Sequence, residues 1–114
     1  MYNRETGAVN ISGGTVQATT SAAVYNVSTG KITVSQAAGA TTKITSANTY
    51  TSQGTIYLSD NTTTAGVRLE ITGGKVENTA ANGYAIYNSS NTPSQITIDS
   101  SAVISGGKCT YITY

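Results

Sequence analysis

The chain has 114 residues, a length that suits one domain with a modest core. Only 10% of its residues are charged and the net charge is +1, so it offers no basic stripe to nucleic acid and no cationic face to an anionic membrane. Histidine is absent and Cys109 is the only cysteine, which excludes an intrachain disulfide, a Cys/His metal set and a histidine proton shuttle.

Thr, Ser, Asn, Gly and Ala dominate, and Tyr supplies every aromatic ring. Thr and Tyr suit pleated surfaces, whereas Gly, Asn and Ser suit tight turns. In chain order, Met1-Tyr2-Asn3 reads as the end of a strand. Period-two alternation then marks short strands at 8–12, 15–18, 23–26, 31–35, 42–46, 55–59, 67–72, 75–78, 84–88, 95–99, 102–105 and 110–113. Turn residues separate them at Ser28-Thr29-Gly30, Ala38-Gly39, Asp60-Asn61, Asn82-Gly83 and Thr92-Pro93. The one proline falls between strands, where its missing N–H does no harm. No apolar run is long enough to span a membrane. Met1 is followed by polar residues, so no secretory leader is legible.

The chain repeats itself. Val9-Asn10-Ile11-Ser12-Gly13-Gly14-Thr15-Val16 matches Leu69-Glu70-Ile71-Thr72-Gly73-Gly74-Lys75-Val76, and Ala23-Val24-Tyr25-Asn26 matches Ala85-Ile86-Tyr87-Asn88. These matches sort the strands into three columns. The first holds 8–12, 31–35, 67–72 and 95–99. The second holds 15–18, 42–46, 75–78 and 102–105. The third holds Tyr2-Asn3, 23–26, 55–59, 84–88 and 110–113. Three strands per repeat, joined by turns of variable length, predict a parallel β-solenoid of about four coils, a single all-β domain over 1–114. An antiparallel sandwich offers short strands too, but does not explain tetrapeptides that recur once per repeat. Coils stacked at about 4.8 Å make a column about 20 Å tall. The pattern places Val9, Ile11, Ile32, Val34, Leu69, Ile71, Ile96 and Ile98 inside one face, with Glu70 outside. The third Gly-Gly, Gly106-Gly107, falls one strand later than the columns require, which puts the register of the last coil in question. Aligned with the other pairs, it sets Cys109 at the core position of Val16 and Val76.

Ala85-Ile86-Tyr87-Asn88, Ala23-Val24-Tyr25-Asn26, Thr29-Gly30, Ile11-Ser12-Gly13-Gly14-Thr15-Val16 and Ile71-Thr72-Gly73-Gly74 together resemble the repeats of bacterial extracellular surface proteins with a right-handed parallel β-helix, the pectin-lyase-like architecture. The resemblance covers most of the first and third coils, while 36–66 and the C-terminal end match poorly. It implies right-handed coils and a place in a large secreted or wall-attached protein. Related folds include polysaccharide lyases and hydrolases.

Catalytic chemistry finds little to work with. The acids are Glu5, Asp60, Glu70, Glu77 and Asp99. A glycosidase needs two of them across one bond, and a lyase needs a calcium-holding cluster with a base. Glu70 and Glu77 share a coil but face outward from different columns, and solvated surface charge is the simpler reading. Serine has no base beside it and no nucleophile elbow, and the Gly-Gly pairs lack phosphate-loop spacing, so they read as corners needing positive φ or close approach. No enzyme activity, metal or cofactor is expected. Lys31, Lys43, Lys75 and Lys108 read as surface lysines. Asn-X-Ser/Thr triplets at Asn10, Asn26, Asn61 and Asn88 are what an Asn/Thr/Ser-rich chain produces by chance. The outward first-column residues Asn10, Thr33, Glu70 and Thr97 are too irregular for an ice-binding face.

Tyr2, Tyr25, Tyr57 and Tyr87 share one slot in successive coils, with Thr113 in that slot of the last. Val24, Ile56, Ile86 and Ile112 precede them and should point inward. The tyrosines then form an outer ladder, either a structural brace or a ligand platform for a cell-surface glycan. Neither end reads as a polar cap. The start, at Tyr2 and Asn3, and the finish, through Tyr111, Ile112 and Tyr114, belong to the same column. The sequence therefore predicts either a slice of a longer solenoid or a subunit that associates with itself end to end into a filament. The function expected is structural, an adhesin, stalk or fibre element at a bacterial surface, with carbohydrate binding by the tyrosine face as the alternative.

Overall fold

The computed structural model describes residues 1–59, 66–89 and 96–112, and for 109–112 the backbone alone. Asp60, Asn61, Thr92, Pro93, Thr113 and Tyr114 lie outside the described residues, as do the side chains of Cys109, Tyr111 and Ile112.

The described residues form strands without helix. In chain order these are β1 Tyr2–Asn3, β2 Val9–Ile11, β3 Gly14–Gln17, β4 Val24–Asn26, β5 Ile32–Val34, β6 Thr42–Ser46, β7 Ile56–Leu58, β8 Leu69–Ile71, β9 Gly74–Asn78, β10 Tyr84–Asn88, β11 Ile96–Ile98, β12 Ala102–Ser105 and β13 Lys108–Ile112. They pair into three sheets, ordered β1-β4-β7-β10-β13, β11-β8-β5-β2 and β12-β9-β6-β3. Every pairing is parallel. Each strand pairs with the strand three places on, so the chain winds as a three-sided parallel solenoid, with one strand of each sheet per coil.

Alternation fixes which side chains enter the core. Ile32, Val34, Leu69 and Ile71 are fully buried and Thr33 and Glu70 lie between them on the outer face. Ile44 and Val76 from the second sheet and Val24, Ile56, Leu58 and Ile86 from the third complete the core. Each large aliphatic side chain buried there contributes roughly 1.5–3 kcal/mol. At the two outer coils the stack stops. Val9 and Ile96 are half-buried, and Ile98, in register with Ile71, is 42% exposed. Ile98 was expected inside; it has the inward register but no described coil beyond it.

The corners follow local chemistry. Gly14 and Gly74 close the first corner at φ of 76° and 86°, where a side chain is strained. The third Gly-Gly serves the second corner instead. A Cβ on Gly107 would collide with the Ala81 carbonyl oxygen, so only glycine fits. The last coil is therefore in register. Ile104 stacks on Val76, and Cys109, expected at that position, lies in β13 between the pairs Tyr84↔Lys108 and Ile86↔Thr110. The same pairing corrects the tyrosine slot. Tyr87 aligns with Tyr111 and Asn88 with Ile112, so Tyr111, not Thr113, is the fifth member, and Ile112 does not take the core slot before it.

Candidate functional site

The tyrosine row is real and continuous. Tyr2, Tyr25 and Tyr57 pair in register, as do Tyr57 and Tyr87. Ring centroids stand 4.8 Å apart for Tyr2–Tyr25, 4.6 Å for Tyr25–Tyr57 and 5.9 Å for Tyr57–Tyr87. The first pair is stacked at 23°, the second edge-on at 78° and the third tilted at 56°, all favoured geometries. Tyr84, which sequence reasoning left out, joins through an edge contact with Tyr87 at 5.5 Å. Cations flank the row, with the Arg4 guanidinium 5.9 Å from the Tyr2 ring centre and the Lys108 ammonium 5.2 Å from that of Tyr84. Tyr25, Tyr57 and Tyr87 are half-buried against each other, and of these four rings only Tyr2 is open, at 57%. Burial first, then the neighbouring Tyr57 and Tyr2 phenols, raise the Tyr25 pKa above its ordinary value. The rings are turned chiefly toward one another, as a brace requires.

Behind the tyrosines the inward slot holds buried asparagines, interrupted by Leu58, which pairs with both Asn26 and Asn88. Asn3, Asn26 and Asn88 follow Tyr2, Tyr25 and Tyr87 and point inward. Asn26 Nδ2 donates to the Gly30 carbonyl at 2.8 Å, while Oδ1 accepts from the Ser28 N–H at 3.2 Å, which folds the corner on itself. Asn3 repeats the first bond, to the Gly7 carbonyl at 3.3 Å. Asn78 does similar work at another corner, donating to the carbonyls of Asn48 and Tyr84 at 2.9 and 3.0 Å. Asn26 and Asn88 are 0% and 1% exposed, so their Asn-X-Ser/Thr triplets are closed to modification in the folded chain.

Arg68 is the residue that sequence reasoning missed. It is fully buried, and its Nε, Nη1 and Nη2 donate to the carbonyls of Ser28, Ser59 and Asn26 at 2.8, 2.9 and 3.0 Å. One guanidinium thus ties two coils together at the corner that enters β8.

On the second sheet Glu77 sits between two lysines, Lys43 at 2.8 Å and Lys75 at 2.9 Å, and accepts from Thr45 Oγ1 at 3.2 Å. Its side chain is 12% exposed, so it is less solvated than the surface charge expected of it. Hydrogen bonds from Lys43 and then Lys75 lower its pKa to about 2. Beside it opens a shallow groove of ≈ 250 Å³, lined by Gln17, Thr19, Thr45, Ser46 and Thr79 with Lys43 and Glu77. Glu70 lies on the first sheet and pairs with Lys31 at 3.6 Å. Glu70 and Glu77 are thus held by separate lysines on separate faces. Among the described residues no group of three or more His, Cys, Asp or Glu could hold a metal, and no helix is long and apolar enough to cross a membrane.

The remaining candidate surfaces are the two ends. Among the described residues β2 and β3 at one end, and β11 and β12 at the other, have a neighbour on one side only. Asn3 at the first end pairs with Asn26, and Tyr111 and Ile112 at the second pair with Tyr87 and Asn88. The chain matches no family model, no curated protein and no solved structure.

Proposed function

We propose that this chain is a non-catalytic structural module, a segment of an extracellular bacterial stalk, adhesin or filament that extends by adding coils at its ends. The observation that carries the reading is that, among the described residues, the strands at each end of two sheets have one open edge and an apolar row in register with the core. Ile98 at one end and the half-buried Val9 and Val16 at the other continue the Ile/Val/Leu stacks of the interior. Edge strands of this kind are templates for further pairing. New coils can come from a longer solenoid of which this is a slice or from a second copy, and head-to-tail addition of copies does not close, so it grows a filament. The position of Glu77 between two lysines and the separation of Glu70 from it support a structural rather than a hydrolytic use of the acids. The right-handed, pectin-lyase-like coil and the cell-surface setting rest on the resemblance of the Tyr-Asn and Ser-Gly-Gly repeats.

Sedimentation velocity over a hundredfold range of concentration tests the reading. It predicts a series of heavier species that grows with concentration and rods in negative-stain micrographs. A single monomer boundary throughout would overturn it. The second reading, a glycan platform on the tyrosine row, draws on the exposed Tyr2 ring and the hydroxyl edges of the row. A glycan array comparing the native chain with Tyr25→Ala and Tyr87→Ala separates the two: binding lost in both variants would favour the platform.

A further inference from the structure

Among the described residues the three sheets are unequal, with five strands in the sheet that holds the tyrosines and four in each of the others. The reason is that β1 precedes the first complete coil, while β13 completes the fourth. This inequality constrains any end-to-end stack. Suppose a second copy docks with its β2 on β11 and its β3 on β12. Its β1 then falls where β13 already lies. Alternatively, β13 pairs with the second copy's β1. The other two sheets then lack a strand at the junction. Ile98 would face a void, and the edge N–H and C=O groups of β11 and β2 would stay unpaired.

We infer that copies join by strand exchange, β13 of one copy displacing β1 of the next. This deepens the end-to-end reading and rests on it. The trade is favourable on three counts. First, among the described strands β1 is held by β4 alone, whereas β13 keeps its pairing to β10 while it gains β4 of the neighbour. Second, the internal register carries over. Tyr87 pairs with Tyr111 and Tyr2 with Tyr25, so Tyr111 and Ile112 would pair with Tyr25 and Asn26 of the neighbour. The Tyr25 and Val27 N–H groups, now bonded to the Met1 and Asn3 carbonyls at 2.9 and 3.0 Å, would pass to the Thr110 and Ile112 carbonyls. Third, the apolar rows close. Ile96 and Ile98 would stack on Val9 and Ile11, and Ile104 on Val16, repeating contacts that the chain already makes between its own coils. The displaced β1 leaves behind the Asn26–Gly30 bond that holds its corner.

The axial repeat of assembled protein decides the matter. Strand exchange gives four rungs per subunit, about 19 Å, whereas pairing of β13 on β1 gives five, about 24 Å. Cryo-electron microscopy or fibre diffraction of the full chain reads this directly. A second measurement uses the chain without residues 1–3. Exchange predicts that it assembles at a several-fold lower concentration than the full chain, because no strand needs displacing. A five-rung repeat, or a truncated chain that no longer assembles while the full chain does, would overturn the exchange and leave end-to-end stacking standing. Failure of both chains to assemble would overturn the exchange and the stacking together.

Discussion

Arg68 donates to three carbonyls from a position closed to solvent, and a bond to a charged donor contributes about 1.5–3 kcal/mol. Arg68→Ala would strand those carbonyls as well as open a cavity. We expect it to lower unfolding free energy by about 3 kcal/mol in urea titration. Arg4→Ala, at an exposed cation over the Tyr2 ring, should stay within about 1 kcal/mol. Two titrating side chains bound the stability in pH. The pKa of Glu77 is lowered to about 2 by its lysines. Its contribution is therefore complete above the ordinary carboxylate range and is lost as pH falls toward 2. The raised pKa of Tyr25 works in the opposite sense: its contribution is complete below the ordinary phenol value and is lost as pH rises through the folded one. Melting temperature measured against pH should fall at both extremes. Glu77→Gln should flatten the acid limb and leave the alkaline limb alone, and Tyr25→Phe should do the reverse. If Glu77→Gln left the acid limb unchanged, the lysine bridge would not be the cause.

At the scale of the strand and its corner, Gly74 combines φ of 86° with a Thr42 Cβ and carbonyl oxygen each 3.0 Å from where its own Cβ would stand. Gly74→Ala should destabilise by at least about 1 kcal/mol, whereas Gly66→Ala, with nothing within 4 Å and no positive φ, should change little. Both are read from thermal unfolding. These corners also show what the sequence could and could not disclose. Alternation and the recurring Tyr-Asn and Ser-Gly-Gly placed all three columns, because a strand buried on one face must repeat every second residue. Alternation fails at corners. It sets Arg68 outward with Glu70, but β8 starts at Leu69, and the turn before it rotates Arg68 inside. The same rotation buries consecutive residues at Ala23-Val24 and Thr55-Ile56, and alternation also breaks inside β10, where Ala85 and Ile86 are both buried. The inward asparagines were within reach, since Asn26 stands two residues from the buried Val24. The shift of Thr113 to Tyr111 had a different cause: Ile112 reads like Val24, Ile56 and Ile86, the inward residue before the slot, whereas it pairs with Asn88, the residue after it.

For the whole molecule, the proposed assembly links stability and function through the coil. The contact that holds one coil on the next is the contact that each end offers outward. Ile98→Lys should therefore reduce assembly at least tenfold while leaving the fold intact, since Ile98 is already 42% exposed. Val103→Lys, at an outward position in register with Lys75, should leave assembly unchanged. The most direct test is hydrogen exchange at a single amide. Val9 donates to the Lys31 carbonyl and Ile11 accepts from Ser35, both toward the second coil. By alternation Asn10, between them, turns its N–H to the open side of β2. Its counterpart Thr33, one coil in, faces β2. We predict that Asn10 exchange slows at least tenfold as concentration rises, while Thr33 exchange stays constant. Fast exchange at Asn10 at every concentration would contradict the account.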